Sequence, residues 1–255
     1  MVNHQWPLEE SGLFFYTAGI MRDLNSKNMK YAFVSLALAI FANQIVYQGS
    51  RVIQVNFLKI WDITLPIDYT FPLVPWTLII YFGCYLVWCV SYIVIALQED
   101  RKQSELFFAG LMLSKLFCLV IFLAVPTTSD IRPVVTGNSF FENGIRFLYS
   151  VDFPDTPTNF FPSIHCLLSW SCFIGVRGKK QFPLWWRFAS FVLAVAVFVS
   201  TITTRQHVIL DVFGGIVFAE LGHAMVAQYD VLSRTYTRFS SWVMKRLFKW
   251  NSIEG

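Results

Sequence analysis

Residues 200–215 read STITTRQHVILDVFGG, and how this stretch is read decides the fold. His207 and Asp211 stand four residues apart, about one helical turn, so their side chains share a face at the mouth of an apolar helix. Arg205 lies just outside that mouth. A carboxylate that orients an imidazole, with a cation beside it, is the smallest set of groups that can attack a phosphate. Whether the chain does so depends on what else it brings to the same place.

The helix opened by this stretch belongs in a bilayer. The chain has 255 residues, of which 55% are hydrophobic and 14% charged, with a mean hydropathy of +0.52. Soluble domains carry about 25% charged residues. The long uncharged runs therefore read as spans of roughly 20 residues each. A net charge of +4 is a topology signal here, and no nucleic-acid partner is expected. Cys84, Cys89, Cys118, Cys166 and Cys172 all fall in apolar runs, as small buried hydrophobes do; an odd number without paired loop spacing argues against a disulfide framework.

In chain order, residues 1–29 read as an interfacial N-terminal segment without a cleavable signal peptide. Six spans follow, at about 30–48, 76–97, 105–126, 162–176, 188–203 and 206–228. The proline-rich stretch 50–75 reads as a loop with a short interfacial helix near 53–61, and 127–160 as a long polar loop. Residues 230–255 form a basic amphipathic tail suited to an anionic leaflet. The basic residues of the N-terminal segment, the 98–104 and 177–187 turns and the tail far outnumber Arg51, Lys59, Arg132, Arg146 and Arg205 on the opposite side. The positive-inside rule then places both termini in the cytoplasm and the His207 end outside, in the cell membrane.

That topology brings three polar sequences to one face: PTTSDIRP (126–133), NFFPSIH (159–165) and TTRQHVILD (203–211). Two helix N-termini would point their free N–H groups there, which makes an anion site. Pro162 suits the first turn of the fourth span.

These residues resemble the type 2 phosphatidic acid phosphatase superfamily of membrane lipid phosphatases and phosphotransferases. Pro162-Ser163-Ile164-His165 matches its P-S-x-H motif, His207 and Asp211 its H-x-x-x-D, and Arg132-Pro133 the R-P end of its first motif. The resemblance covers about 76–228, the expected catalytic core of a single integral membrane domain. Val125 stands where the first motif has lysine, and Arg205 is two residues before His207 where the usual spacing is six. This pattern looks more like the branch with inositol phosphorylceramide and sphingomyelin synthases.

The resemblance implies an all-α, six-transmembrane-helix bundle of the phosphatidic acid phosphatase/vanadium haloperoxidase-like kind, with an extracytoplasmic active site and a membrane lipid phosphate as substrate. His207 would be the nucleophile, Asp211 would orient it, and His165 would move the proton to and from the leaving and entering oxygens. Arg132, Ser163 and Arg205 would hold the phosphate oxygens. No metal and no cofactor is implied. The expected activity is hydrolysis of phosphatidic acid, phosphatidylglycerol phosphate or a polyprenyl diphosphate. Headgroup transfer to a lipid alcohol is the alternative, and a non-enzymatic transporter is the alternative of another class.

Other residues carry smaller expectations. Thr127, Thr128, Thr203 and Thr204 read as caps. Asp68, Asp152, Asp155 and Asn159 read as solvated loop residues at the outer mouth. Lys115 and Glu220, deep in their spans, are expected to pair with each other, and His223 to be structural.

Overall fold

The computed structural model describes residues 26–152 and 157–248. The expected interfacial segment 1–29 therefore lies almost wholly outside the described residues, as do Asp155 and the last residues of the tail. The described chain is helical apart from its loops and one two-residue strand pair.

The first helix, α1 (Ser26–Gln44), does not stop where its apolar run ends. It passes through a π-turn, Ile45–Gly49, into α2 (Ser50–Phe57). The separate interfacial helix expected near 53–61 is thus the end of one long helix. Ser50 and Gln54, polar residues that would not favour continuation into lipid, donate to Asn159, and Gln54 also to the Phe122 carbonyl.

Helix α3 (Leu78–Gln98) follows a 3-10 turn that begins at Pro75. Helix α4 (Arg101–Ala124) is capped by Asp100, whose carboxylate accepts from Gln103 N at 2.8 Å, and it ends two residues before Pro126. Helix α5 (Phe140–Val151) lies within the loop expected at 127–160, opened by a reciprocal cap between Ser139 and Glu142. Helices α6 (Ile164–Val176), α7 (Leu184–Thr203), α8 (Ile209–Gln228) and α9 (Asp230–Phe248) complete the chain.

Among the described residues, five helical segments can cross a membrane by length and composition: Asn28–Asn56, Pro75–Gln98, α4, α7 and α8. The fourth expected span, α6, has 13 residues, about 20 Å of helix at 1.5 Å per residue, and falls short by that measure. It is also the most enclosed helix. Ten of its 13 residues are buried, with α3, α4, α7 and α8 around it. Leu86, Val120, Phe188, Val199 and Val217 are exposed on the outward faces of the long helices, as side chains in contact with lipid would be.

Close approach of α8 to its neighbours depends on small residues. A Cβ on Gly215 would come within 2.6 Å of the Ser163 carbonyl oxygen on one side, and one on Gly222 within 2.2 Å of Ser114 Oγ on the other. Gly215 thereby fixes how near the start of α8 lies to the start of α6.

The deep ionic residues pair differently from the sequence expectation. Because α6 is short, Arg177 at its end arrives beside Glu220, bonding it at 2.6 and 2.8 Å while Trp170 Nε1 adds a third donor at 2.8 Å. Lys115, 2% exposed, instead donates to the Ala39 carbonyl of α1 at 2.6 Å. His223 packs against Phe107, with ring centroids 5.4 Å apart. All five cysteines are free, and four of them are buried.

Candidate active site

The three polar sequences meet and are bonded to one another. Phe161 N donates to Thr127 Oγ1 at 2.8 Å, Ser163 N to the Asp211 carbonyl at 3.0 Å, and Arg132 Nη2 to Gln206 Oε1 at 3.0 Å. Strand β1 (Trp61–Asp62) runs parallel to β2 (Thr127–Thr128), tying the 58–76 loop to the same place.

His207 precedes α8 and Asp211 lies in its first turn. His207 Nδ1 is 3.0 Å from Asp211 Oδ2, and the same oxygen accepts from Val208 N at 3.0 Å. Asp211 is fully buried and His207 nearly so. His165, in the first turn of α6, faces His207 with ring centroids 5.8 Å apart. Its Nε2 is 3.0 Å from Tyr85 Oη, and Tyr81 stacks on its ring at 4.5 Å. His165 Nδ1 has no hydrogen-bond partner among the described residues. Trp88 stands 5.6 Å from the same ring and donates to Ser169 one turn further along α6.

Ser163 caps α6, its Oγ accepting from Cys166 N at 3.3 Å. Pro162 therefore sits just before the cap and not inside the first turn. Arg132 reaches the histidines' neighbourhood but is bonded to Asp152, which also accepts from Tyr47 Oη at 2.9 Å and pairs with Arg51 at 3.3 Å. Arg132 lies over Tyr149 and Phe160 as well, and Phe160 in turn touches His207 at 5.8 Å.

Arg205 is engaged elsewhere. It sits at φ 56°, and its guanidinium donates to the carbonyls of Asp68, Tyr69 and Phe71. Its bonds in this structure fasten the 66–71 turn and are not directed toward the histidine pair. Neither helix N-terminus offers a full set of free N–H groups. At α8, Val208 N is taken by Asp211 and Ile209 N by Asp68 Oδ1 at 2.9 Å.

Three residues read as solvated loop are in fact structural. Asp68 is 1% exposed and caps both the 66–70 turn and α8. Asn159, also 1% exposed, has φ 62° and bonds Ser50, Gln54 and the Tyr47 carbonyl. Asp152 joins the two arginines. Of the threonines read as caps, Thr203 and Thr204 bond carbonyls one turn back in α7, Thr203 also meets Thr77 at 2.9 Å, and Thr127 accepts from Phe161 N. Tyr81, Tyr85 and Trp88 belong to no motif, since only tertiary packing brings α3 to His165. For Tyr81, Tyr85 and Trp88, the spacing of aromatics at positions 81, 85 and 88 along one helical face was the available signal.

One cavity borders this cluster, and a larger one lies beside it without reaching either histidine. The first, about 200 Å³, lies between α1 and His165. The other, about 610 Å³, opens between α3, α6 and α7 and is lined chiefly by apolar side chains such as Ile79, Leu86, Trp185 and Val197.

Residues 64–225 match the sequence profile of the PAP2 superfamily. No curated protein matches the chain.

Proposed function

The chain belongs to the PAP2 superfamily, and from that premise we propose that it is a membrane lipid phosphate phosphatase working through a phosphohistidine on His207. The observation that carries this reading is the His207–Asp211 bond at 3.0 Å with His165 facing the same imidazole.

With Nδ1 bonded to Asp211, Nε2 of His207 carries the free electron pair. It attacks phosphorus, the bond from phosphorus to the leaving oxygen breaks, and that oxygen takes a proton from His165. Asp211 stabilises the cation that forms on His207, as a buried carboxylate does for a histidine. Nδ1 of His165 is the nitrogen left for this transfer, since Nε2 is held by Tyr85. Water then attacks the phosphohistidine, His165 takes its proton, and phosphate leaves with His207 restored. Arg132 and Ser163 are assigned to the phosphate oxygens, Arg132 sharing its charge between phosphate and Asp152. Arg205 acts on the site through the 66–71 turn. The charge asymmetry of the loops supports a site on the extracytoplasmic face.

Headgroup transfer to a lipid alcohol is the second reading, favoured by Val125 where the family's first motif has lysine. Both share the covalent intermediate and differ only in what attacks it. Purified protein given a panel of lipid phosphates, with and without lipid alcohols, separates them. Release of inorganic phosphate is the expected result, and a new phospholipid formed without phosphate release would establish transfer. Orthovanadate is expected to inhibit and EDTA to leave the rate unchanged. Loss of activity on chelation would replace this mechanism with a metal-dependent one.

A further inference from the structure

We propose that the polar cavity between α1 and His165 receives a polyhydroxylated headgroup, borne by the leaving group or the incoming alcohol, so that α1 sets which lipid phosphates are used. This rests on the functional reading above and adds the class of headgroup.

The cavity has His165 as one wall and α1 with its π-turn as the other, whereas His207 does not line it. His165 is the residue that exchanges a proton with the leaving and entering oxygens. Whatever is attached to those oxygens therefore lies on its side of the site. The volume of about 200 Å³ is some seven times the roughly 30 Å³ share of one liquid water. That admits a glycerol- or sugar-sized group and excludes a whole lipid.

The lining fits hydroxyls. Asn43, Gln44 and Gln48 each present an amide, which both donates and accepts. Tyr47 adds a phenol bonded to Asp152, and Arg51 and Asp152 add a charged pair. Amides within an apolar span are costly unless they meet a polar partner. The buried Oδ1 of Asn43 has no hydrogen-bond partner among the described residues. The π-turn Ile45–Gly49 accounts for the arrangement, because it carries Tyr47 and Gln48 between the amides of α1 and Arg51 of α2. Turns of this kind recur at functional sites. This wall also lies outside the matched residues 64–225, so the phosphate chemistry belongs to the shared core and the headgroup contacts to the preceding helix.

The test compares two lipid phosphomonoesters with identical acyl chains, the glycerol-headed phosphatidylglycerol phosphate and phosphatidic acid, using the full chain in vesicles. In Gln44→Leu/Gln48→Leu, the ratio of kcat/KM for the first over the second is expected to fall at least tenfold. A ratio within twofold of wild type overturns the assignment. Should the double variant fold poorly, wild type decides. Given phosphatidic acid and free glycerol, it is expected to form glycerol phosphate in excess of the glycerol-to-water molar ratio. Partition at or below that ratio overturns the assignment while leaving the phosphatase reading intact. Absence of any turnover by wild type overturns both.

Discussion

Asp211 is held from several directions, and each contact limits what it can do. Its Oδ2 accepts from His207 and Val208 N, while its carbonyl accepts from Ser163 N. One residue thus orients the imidazole and joins the starts of α6 and α8. Asp211→Asn is expected to keep the bundle folded and lower turnover by roughly 10²–10⁴, because the amide cannot favour the same tautomer or stabilise the cation. His207→Ala should remove turnover and the acid-labile phosphoenzyme together; a labelled phosphoenzyme in that variant would end the proposed role. Arg205 belongs to another category. Removing a guanidinium that holds three carbonyls is expected to cost about 2–4 kcal/mol, read by thermal melting of the detergent-solubilised protein. A normal melting temperature with a raised KM would return Arg205 to phosphate binding. Sequence reading brought the side chains of His207 and Asp211 together because their bond is local, four residues apart. It did not place Asp68, Asp152 or Asn159, each of which has a partner about 100 residues or more away along the chain. Nothing short-range distinguishes such a side chain from a solvated one.

At the scale of elements, long apolar runs declare themselves and short or polar ones do not. α3, α4, α7 and α8 follow from hydropathy alone. α2 was expected as a separate interfacial helix and not as a continuation of α1, because Gln54 finds its partners in other elements. α5 was hidden by its polar loop, although Ser139 and Glu142 spell a capping box three residues apart. That cap makes a pH prediction. Hydrogen bonds from Ser139 hold the Glu142 carboxyl below its ordinary value of 4.5. A group whose folded pKa is depressed contributes stability that is complete above its unfolded pKa and lost as pH falls through the folded one. The protection of α5 amides, exchange taken relative to its intrinsic rate at each pH, is therefore expected to be level above pH 4.5 and to fall below it. In Glu142→Gln this pH step should vanish; an unchanged step would assign it to another group.

The whole molecule has a polarity that its charges define. Arg177 and Glu220 pair at one end of α6, with Lys179 and Glu99 pairing nearby at 2.8 Å, while the histidines occupy the other end. If the positive-inside rule sets the orientation, single cysteines placed at Lys102 and Lys180 in an otherwise cysteine-free chain should resist an impermeant thiol reagent in intact cells. One placed at Asn138 should react. The reverse pattern would put the site on the cytoplasmic side and change which leaflet supplies substrate. Shortness of α6 has a matching role at this scale, because a full-length helix would carry Arg177 past Glu220.

The π-turn in the first helix also fixes a rotational phase. Its wider turn accommodates an additional residue between two stretches of ordinary helix, and one residue corresponds to about 100° of rotation. Upstream, the helix is indexed by the Lys115 bond to Ala39; downstream, by Ser50 and Gln54 against Asn159. Deleting Gln48 alone would let the backbone close into uniform α geometry and turn one half against the other, so both sets of partners could not be kept. Such a deletion should lower the melting temperature more than any substitution at the same position.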